Sequence, residues 1–276
     1  MKTLHWKKIF IGVTVISFCA LGTAYSAEKG KIVIKGSTTV LPITQKAIEE
    51  YRKINRNISI SLEGSGSGNG IKALLDGGTD IANSSREIKP NEIERSKLKG
   101  ITVEEIAVAY DMIVPIVHLS NPVTNLTMDQ LKAIYEGSIK NWSEVGGPNE
   151  KIIVLSRDTS SGTHEYWYEH VMGKVNVRPD ALLQASNGQV VSTVAGNRKA
   201  IGYIGYGYLN KSVKALKVNN VEGTIQNGKS GKYPISRKLY MYINRKSASK
   251  ETREFIKFLL SPKGQNIVKE AGYIPR

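Results

Sequence analysis

The fold is decided by the stretch from Lys31 to Tyr51, which reads KIVIKGSTTVLPITQKAIEEY. Ile32 and Ile34 alternate with Lys31, Val33 and Lys35, and this alternation, which only Val33 interrupts, predicts a half-buried β-strand over Lys31–Lys35. A Gly-Ser-Thr-Thr turn follows. Pro42–Tyr51 then repeats apolar residues at helical spacing, which predicts an amphipathic helix. A strand that passes through a short polar turn into a helix is typical of an α/β fold.

The same order of elements continues along the chain. Ile58–Leu62 alternates again, Gly64–Gly70 is a glycine-serine loop, and a further helix is predicted to begin at Ile71. Strands that alternate with helices indicate a parallel α/β sheet. Two longer β-rich runs, at 106–117 and 237–243, interrupt this alternation, and we interpret them as two strands that cross between lobes.

These runs predict a two-lobed α/β protein in which the C-terminal helices complete the first lobe. The expected domain organisation is residues 27–112 with 238–276 for lobe 1, and residues 113–237 for lobe 2. A chain of 276 residues is long enough for one or two such domains.

The first 26 residues have the composition of a secretory signal peptide. Three lysines precede the apolar stretch Ile9–Leu21, and small residues at Ala24 and Ser26 predict cleavage after Ser26. The stretch is shorter than the roughly 20 residues that a membrane span needs. Cys19 is the only cysteine, and Phe18 stands where a lipoprotein signal requires a small residue. We therefore expect a soluble, exported, periplasmic protein without disulfide bonds.

The net charge of the chain is +15, and removal of the three lysines of the signal segment lowers it to +12. A basic balance suggests an anionic partner, which could be nucleic acid, anionic lipid or a small anion. The basic residues are scattered, and no aromatic stripe accompanies them as in single-strand nucleic-acid binding proteins. We therefore interpret the net charge as a solvated basic surface that keeps the protein soluble, and a nucleic-acid partner is disfavoured.

Three patterns resemble cofactor motifs but lack the context that the chemistry needs. Gly223–Ser230 fits the P-loop pattern, but Gly231 and a nearby proline oppose the helix that must follow. Gly68–Ala73 is only a loose dinucleotide pattern. His164 and His170 are six residues apart, which places the rings on different faces of a helix and argues against zinc. We expect no cofactor and no metal.

Three hydroxyl-rich turns each precede a predicted helix, namely Ser37–Thr39, Ser65–Ser67 and Ser160–Thr163. Any one of them alone is explained as a helix N-cap. Together with Arg86 and Arg157 near strand ends, they predict a site for a tetrahedral oxyanion. Backbone N–H groups at helix N-termini favour anions, and a guanidinium adds a bidentate donor.

Several motifs that span the whole mature chain are typical of one family. They are Gly36–Pro42, Gly64–Gly70, Asp80–Arg86, Asn141–Gly147, Arg157–Thr163, Ala200–Tyr203, Tyr233–Arg237, Ser261–Gln265 and Gly272–Pro275. In these motifs the sequence resembles the phosphate-binding proteins of bacterial ABC phosphate transporters. The order Arg-x-x-x-Ser-Gly-Thr is the most specific of them.

The resemblance implies a type II periplasmic-binding fold, with inorganic phosphate bound between the lobes and delivered to the permease subunits of an ABC importer. It also implies a monomer. Carried over position by position, it implies that the phosphate-binding residues are Thr38, Thr39, Ser67, Ser85, Arg86, Arg157, Ser161, Gly162 and Thr163. Which of the two adjacent threonines contacts the anion stays open, because this turn is one residue longer than in the family.

The sequence departs from the family at Ser85, where well-known members have an aspartate that accepts the proton of bound phosphate. A serine hydroxyl can donate or accept. The exclusion of sulfate is therefore an open question, and Asp80, Asp158 or Glu63 are alternative acceptors. We hypothesise that Arg86 favours the phosphate dianion.

Two alternatives keep part of this interpretation. The same fold could bind sulfate, molybdate or arsenate instead of phosphate. A phosphomonoester hydrolase could use the same oxyanion site, but no catalytic triad, metal cluster or activated nucleophile is found in the sequence. We therefore predict a binding protein that is not an enzyme.

Overall fold

The computed structural model describes residues 30–276 of the chain. The predicted signal peptide, its cleavage after Ser26, and Cys19 lie outside the described residues. Within 30–276, no helix is both long enough and apolar enough to cross a membrane.

Strands and helices alternate along this part of the chain. The strands are β1 (Gly30–Gly36), β2 (Ile58–Gly64), β3 (Ile81–Ser84), β4 (Val103–His118), β5 (Asn125–Leu126), β6 (Ile153–Arg157), β7 (Leu182–Gln184), β8 (Ala200–Gly205), β9 (Val213–Ala215), β10 (Lys217–Val218) and β11 (Ser236–Asn244). The helices are α1 (Leu41–Ile54), α2 (Ser67–Leu75), α3 (Pro90–Leu98), α4 (Met128–Glu136), α5 (Gly162–His170), α6 (Asn187–Ala195), α7 (Ile225–Lys229), α8 (Lys250–Leu260) and α9 (Pro262–Glu270).

One curled sheet runs through both halves of the molecule in the order β2-β1-β3-β11-β4-β8-β6-β7. Strands β1, β2 and β3 are parallel, and so are β6, β7 and β8. This confirms the α/β class. The sheet is nevertheless mixed, because β11 is antiparallel to both β3 and β4, and β4 is antiparallel to β8. The parallel pairing predicted from the alternating strands and helices thus holds within each half, and the crossing strands add the antiparallel pairs.

The two crossing strands run in opposite directions because the chain leaves the first half along β4 and returns along β11. Their register extends from Ser236 opposite Met112 to Asn244 opposite Val103. Strand β4 is the longer, with 16 residues, and its second half pairs with β8 and β9 instead.

The buried apolar side chains form separate cores on either side of these crossings. One core takes its residues from 112–235, with Ile274 as the exception. Another takes them from 32–109 and from 239–273, and it includes Leu239 of β11 and Phe255 and Leu259 of α8. The C-terminal helices thus pack on the N-terminal part of the chain. The domain boundaries at 112/113 and 237/238 fit this division and stay a prediction.

Two helices begin earlier than the sequence predicted. Helix α2 starts at Ser67, inside the expected glycine-serine loop, and α5 starts at Gly162. Glycine has a low helix propensity, but both first turns are positioned by tertiary contacts. Helix α7 lies inside the P-loop pattern and ends at Lys229, where a P-loop helix would have to begin. No group of metal-ligating side chains is found in residues 30–276.

The packing of α8 on the first core predicts how much a buried and an exposed leucine each contribute to stability. Leu259 is fully buried, whereas Leu98 is 88% exposed. We expect Leu259→Ala to lower the free energy of unfolding by about 2–5 kcal/mol, because it removes buried methyl groups and leaves a cavity. Leu98→Ala should change it by less than about 0.5 kcal/mol. Urea denaturation of both variants tests this, and equal effects would contradict the discontinuous first core.

Candidate anion-binding site

Four helix N-termini meet at the junction of the two halves. The turn before α1 and the start of α2 come from the first half, and the starts of α5 and α6 come from the second. Each helix has at least nine residues. The N-terminus of a helix carries a partial positive charge and exposed N–H groups. Their convergence makes this junction favourable for a negative ligand.

The predicted hydroxyl groups are brought together here and are buried. The Oγ1 atoms of Thr39 and Thr163 are 3.0 Å apart, although the residues are separated by 124 positions in the chain. The Oγ atoms of Ser67 and Ser85 are 3.3 Å apart. All these side chains are at most 1% exposed, so they form a polar cluster shielded from solvent.

Gly162 faces this cluster at the start of α5. A Cβ atom added there would lie 2.4 Å from the Oγ of Ser67 and 2.7 Å from the Oγ of Ser85. Real Cβ atoms do not approach other atoms so closely, and Ser67 is fully buried. The position therefore requires glycine for close approach of the backbone to the hydroxyls.

Asn187, at the start of α6, was missed by sequence reasoning. Its Oδ1 accepts a hydrogen bond from the backbone N–H of Gly205 at 3.1 Å, which fixes the orientation of the amide. Its Nδ2 therefore donates to the Oγ1 atoms of Thr38 and Thr39, at 3.2 and 3.1 Å. In the sequence, Asn187 stands in a Ser-Asn-Gly turn, a pattern that predicts the start of a helix and does not predict a contact with the threonines.

Arg237 and Asp111 were also missed as site residues, although Arg237 ends one of the family motifs. Asp111 Oδ2 accepts from Arg237 Nε at 3.0 Å and from Nη2 at 2.8 Å, and both side chains are at most 1% exposed. Burial raises the pKa of Asp111, and Arg237 opposes that shift. The same Nη2 donates to the Oγ1 of Thr163 at 3.0 Å and lies 3.4 Å from that of Thr39. Arg237 thus contacts the hydroxyl cluster through both threonines.

Arg157 is the second buried arginine at this junction. Its Nε donates to the carbonyl of Gln184 at 3.0 Å and its Nη2 to the carbonyl of Ala185 at 2.8 Å. Its Nη1 is buried and has no hydrogen-bond partner among residues 30–276. Burial lowers the pKa of Arg157, and Tyr203 and Asp158 oppose that shift. An unpaired donor on a buried cation is costly unless a ligand completes it.

Arg86 lies beside the cluster with its charge already paired. Its Nη1 and Nη2 donate to both carboxylate oxygens of Glu92, at 2.8 and 2.7 Å. Nη2 would lie 3.8 Å from a Cβ atom at Gly68, so the guanidinium stays close to the start of α2. The direct contact between Arg86 and the anion stays a prediction. It requires the guanidinium to donate to the anion while it remains bound to Glu92.

The three alternative carboxylates have partners outside the hydroxyl cluster. Asp80 accepts from the backbone N–H of Val33, in the middle of β1. Glu63 pairs with Lys35 at the surface. Asp158 accepts from the backbone N–H of Ser160 within its own turn. None of their hydrogen bonds in the described residues reaches the clustered hydroxyls.

Several contacts hold the two halves together around the cluster. The backbone N–H of Gly68 donates to the carbonyl of Ser160 at 2.9 Å. Lys89 at the start of α3 forms an ion pair with Glu165 of α5 at 2.7 Å. Tyr208 donates from its hydroxyl to the carbonyl of Thr38 at 2.6 Å. The structure therefore has its two halves closed over the site.

Ser161 and His164 do not form a nucleophile–base pair. The Oγ of Ser161 accepts from the backbone N–H groups of Thr163 and His164, at 3.2 and 3.3 Å, which is N-cap geometry. The imidazole of His164 instead lies near Ser156 and Tyr203, and burial lowers its pKa. The arrangement supplies hydrogen-bond donors for an anion and shows no activated nucleophile.

Comparison with known proteins identifies relatives over nearly the whole chain. Residues 22–263 match the family model of the PBP superfamily domain. The phosphate-binding protein PstS of Borreliella burgdorferi is 35% identical over 280 residues, which cover 97% of this chain and 98% of the relative.

Two solved structures are similar in both sequence and fold. A candidate phosphate ABC transporter substrate-binding protein from Clostridium perfringens, determined with bound phosphate, is 35% identical with a TM-score of 0.84, covering 90% of this chain and all of that one. An ABC-type phosphate transport receptor from Vibrio cholerae is 36% identical with a TM-score of 0.73, covering 89% and 100%. With two α/β lobes, two crossing strands and relatives that match along their full length, this chain belongs to the PBP superfamily and, within it, to the PstS family of phosphate-binding proteins.

Proposed function

We propose that this protein captures inorganic phosphate between its two lobes and delivers it to an ABC importer. The anion would exchange the hydroxyl–hydroxyl contacts of the cluster for hydrogen bonds to its own oxygens. The proposed ligands are the predicted residues: Thr38, Thr39, Ser67, Ser85, Arg157, Ser161, Gly162 and Thr163, with Arg86 beside them.

The observation that carries this proposal is the buried Nη1 of Arg157, which has no hydrogen-bond partner in the part of the chain that the structure describes. A tetrahedral oxyanion beside it would pair the guanidinium and accept from the surrounding hydroxyls at the same time. Hydrogen bonds to charged groups contribute roughly 1.5–3 kcal/mol each, and micromolar affinity needs about 8 kcal/mol. The donors at the junction exceed that sum before the costs of lobe closure and desolvation are subtracted, and we propose micromolar or tighter binding.

The name and the bound ligand of the relatives support phosphate over other oxyanions. We further propose that the mature protein acts outside the cytoplasmic membrane, as a monomer that docks on permease subunits of its transporter. Its role would be binding without catalysis, since its hydroxyls serve as caps and donors.

Calorimetric titration of the mature chain from Ala27 onward, freed of bound anions by unfolding and refolding, tests the proposal. We expect saturable one-to-one binding of phosphate with micromolar or tighter affinity. Sulfate, molybdate and arsenate are titrated under the same conditions. Absence of phosphate binding, or tighter binding of molybdate than of phosphate, would overturn it.

The unpaired Nη1 of Arg157 predicts the effect of replacing this side chain. Arg157→Gln should weaken phosphate binding at least about 10-fold, because a charged donor is lost. Arg198→Gln is the matched control, since Arg198 is 66% exposed at its side chain and pairs with Glu150 at the surface. Titration of both variants measures the difference, after circular dichroism has shown that each is folded. Equal affinities would exclude Arg157 as a ligand.

The close approach at Gly162 leads to a second prediction. Gly162→Ala should weaken phosphate binding by at least about 10-fold, because the new Cβ collides with Ser67 and Ser85 when the lobes close. Gly188→Ala near the start of α6 is the control, since a Cβ there would be 3.8 Å from its nearest neighbour. Binding by Gly162→Ala at the control's affinity would show that α5 does not approach the anion.

A further inference from the structure

Lys89 and Glu165 form an ion pair between the two lobes, with 2.7 Å between Nζ and Oε1. Within residues 30–276, the other ion pairs lie inside one half of the molecule, except that between Arg237 and Asp111. Arg237 and Asp111 lie opposite each other on adjacent strands, so their contact does not require the lobes to close. The contact between Lys89 and Glu165 does require it.

Lys89 is fixed to the segment that carries proposed phosphate-binding residues of the first lobe. Its backbone N–H donates to Oε2 of Glu92 at 2.8 Å at the start of α3. The same carboxylate binds the guanidinium of Arg86, which follows Ser85 in the chain. Lys89 is therefore held at a defined distance from Ser85 and Arg86.

Glu165 is fixed in the same way to the second lobe. It lies in the first turn of α5, and its backbone N–H donates to the carbonyl of Ser161 at 3.1 Å. The proposed phosphate-binding residues Gly162 and Thr163 belong to the same turn. An anion between the lobes and the ion pair therefore require the same approach of α5 to the segment before α3.

The charge of Glu165 is unfavourable for the anion itself. A carboxylate in the first turn of α5 stabilises that helix, but it repels an anion that binds at the same helix N-terminus. Its contact with Lys89 offsets this repulsion only in the closed form. The side chains of Lys89 and Glu165 are 36% and 17% exposed, so the pair is partly shielded from water and stronger than a fully exposed pair.

A contact that exists only in the closed form adds its free energy to the binding of any ligand that requires closure. We propose that the ion pair between Lys89 and Glu165 is a latch, which holds the lobes closed over bound phosphate and thereby raises the affinity. This inference rests on the proposed function. Because the latch is electrostatic and partly exposed, salt weakens it.

A double-mutant cycle tests the latch with Lys89→Gln, Glu165→Gln and the protein that carries both changes. Phosphate affinities are measured by calorimetry at low and at high ionic strength. The separate effects of the two charges on the anion add in such a cycle, and the coupling isolates their mutual contact. We expect Glu165→Gln to weaken phosphate binding about 3-fold more when Lys89 is present than in the Lys89→Gln protein. High ionic strength should reduce this coupling.

Glu104 and Arg253 provide the matched control. They form an ion pair of 3.5 Å within the first half of the molecule, and their side chains are 36% and 44% exposed. Since closure of the lobes does not change this contact, the cycle of Glu104→Gln and Arg253→Gln should show no coupling in phosphate affinity.

The outcomes separate this inference from the proposed function. If the wild-type protein does not bind phosphate, both fail. If the wild type binds phosphate but the effects of Lys89→Gln and Glu165→Gln are additive, or if the control cycle shows an equal coupling, the latch alone is overturned. Thermal unfolding of each variant, followed by circular dichroism, shows that the affinities belong to folded protein.

Discussion

The ion pair between Arg237 and Asp111 is the interaction on which the rest of the site depends. It joins the two crossing strands, β11 and β4, where the lobes meet, and it is fully shielded from solvent. An isolated buried charge is strongly destabilising, so each partner requires the other. Asp111 is further bound by the backbone N–H of Tyr206. The guanidinium is thereby fixed, and its remaining N–H groups are directed at the carbonyl of Ser85 and the hydroxyls of Thr39 and Thr163.

This arrangement links the closure of the two lobes to the shape of the anion-binding site. Arg237 contacts a threonine from each lobe, so the hydrogen bonds that stabilise closure are the ones that shape the site. Two further contacts join the lobes, one between Gly68 and Ser160 and one between Lys89 and Glu165. A ligand that accepts from hydroxyls of both lobes would favour the closed form, because it binds the open form through one lobe only.

The electrostatics of the site rest on few unpaired charges. Arg237 is balanced by Asp111 and Arg86 by Glu92, both at short distances, whereas the ion pair of Arg157 with Asp158 is long, with 4.0 Å between Nη2 and Oδ2. Arg157 is therefore the least compensated of the three arginines. Neutral hydroxyls and helix N-termini supply the remaining attraction. Such donors are directional, and they distinguish oxygens that accept from oxygens that carry a proton, which net charge alone does not do.

The sequence by itself determined the local elements of this protein and the family to which it belongs. Alternation of side chains gave strands near Lys31–Lys35 and Ile58–Leu62, and hydroxyl-rich turns marked the helix starts that meet at the site, because those features depend on neighbouring residues alone. Tertiary structure decided what depends on residues distant in the chain. It made the crossing strands antiparallel, brought Thr39 within 3.0 Å of Thr163, and placed Asn187, Asp111 and Arg237 around them. It also placed Arg237 of β11 against Asp111 of β4, a pair separated by 126 positions, because such partners are brought together only by the packing of the whole chain.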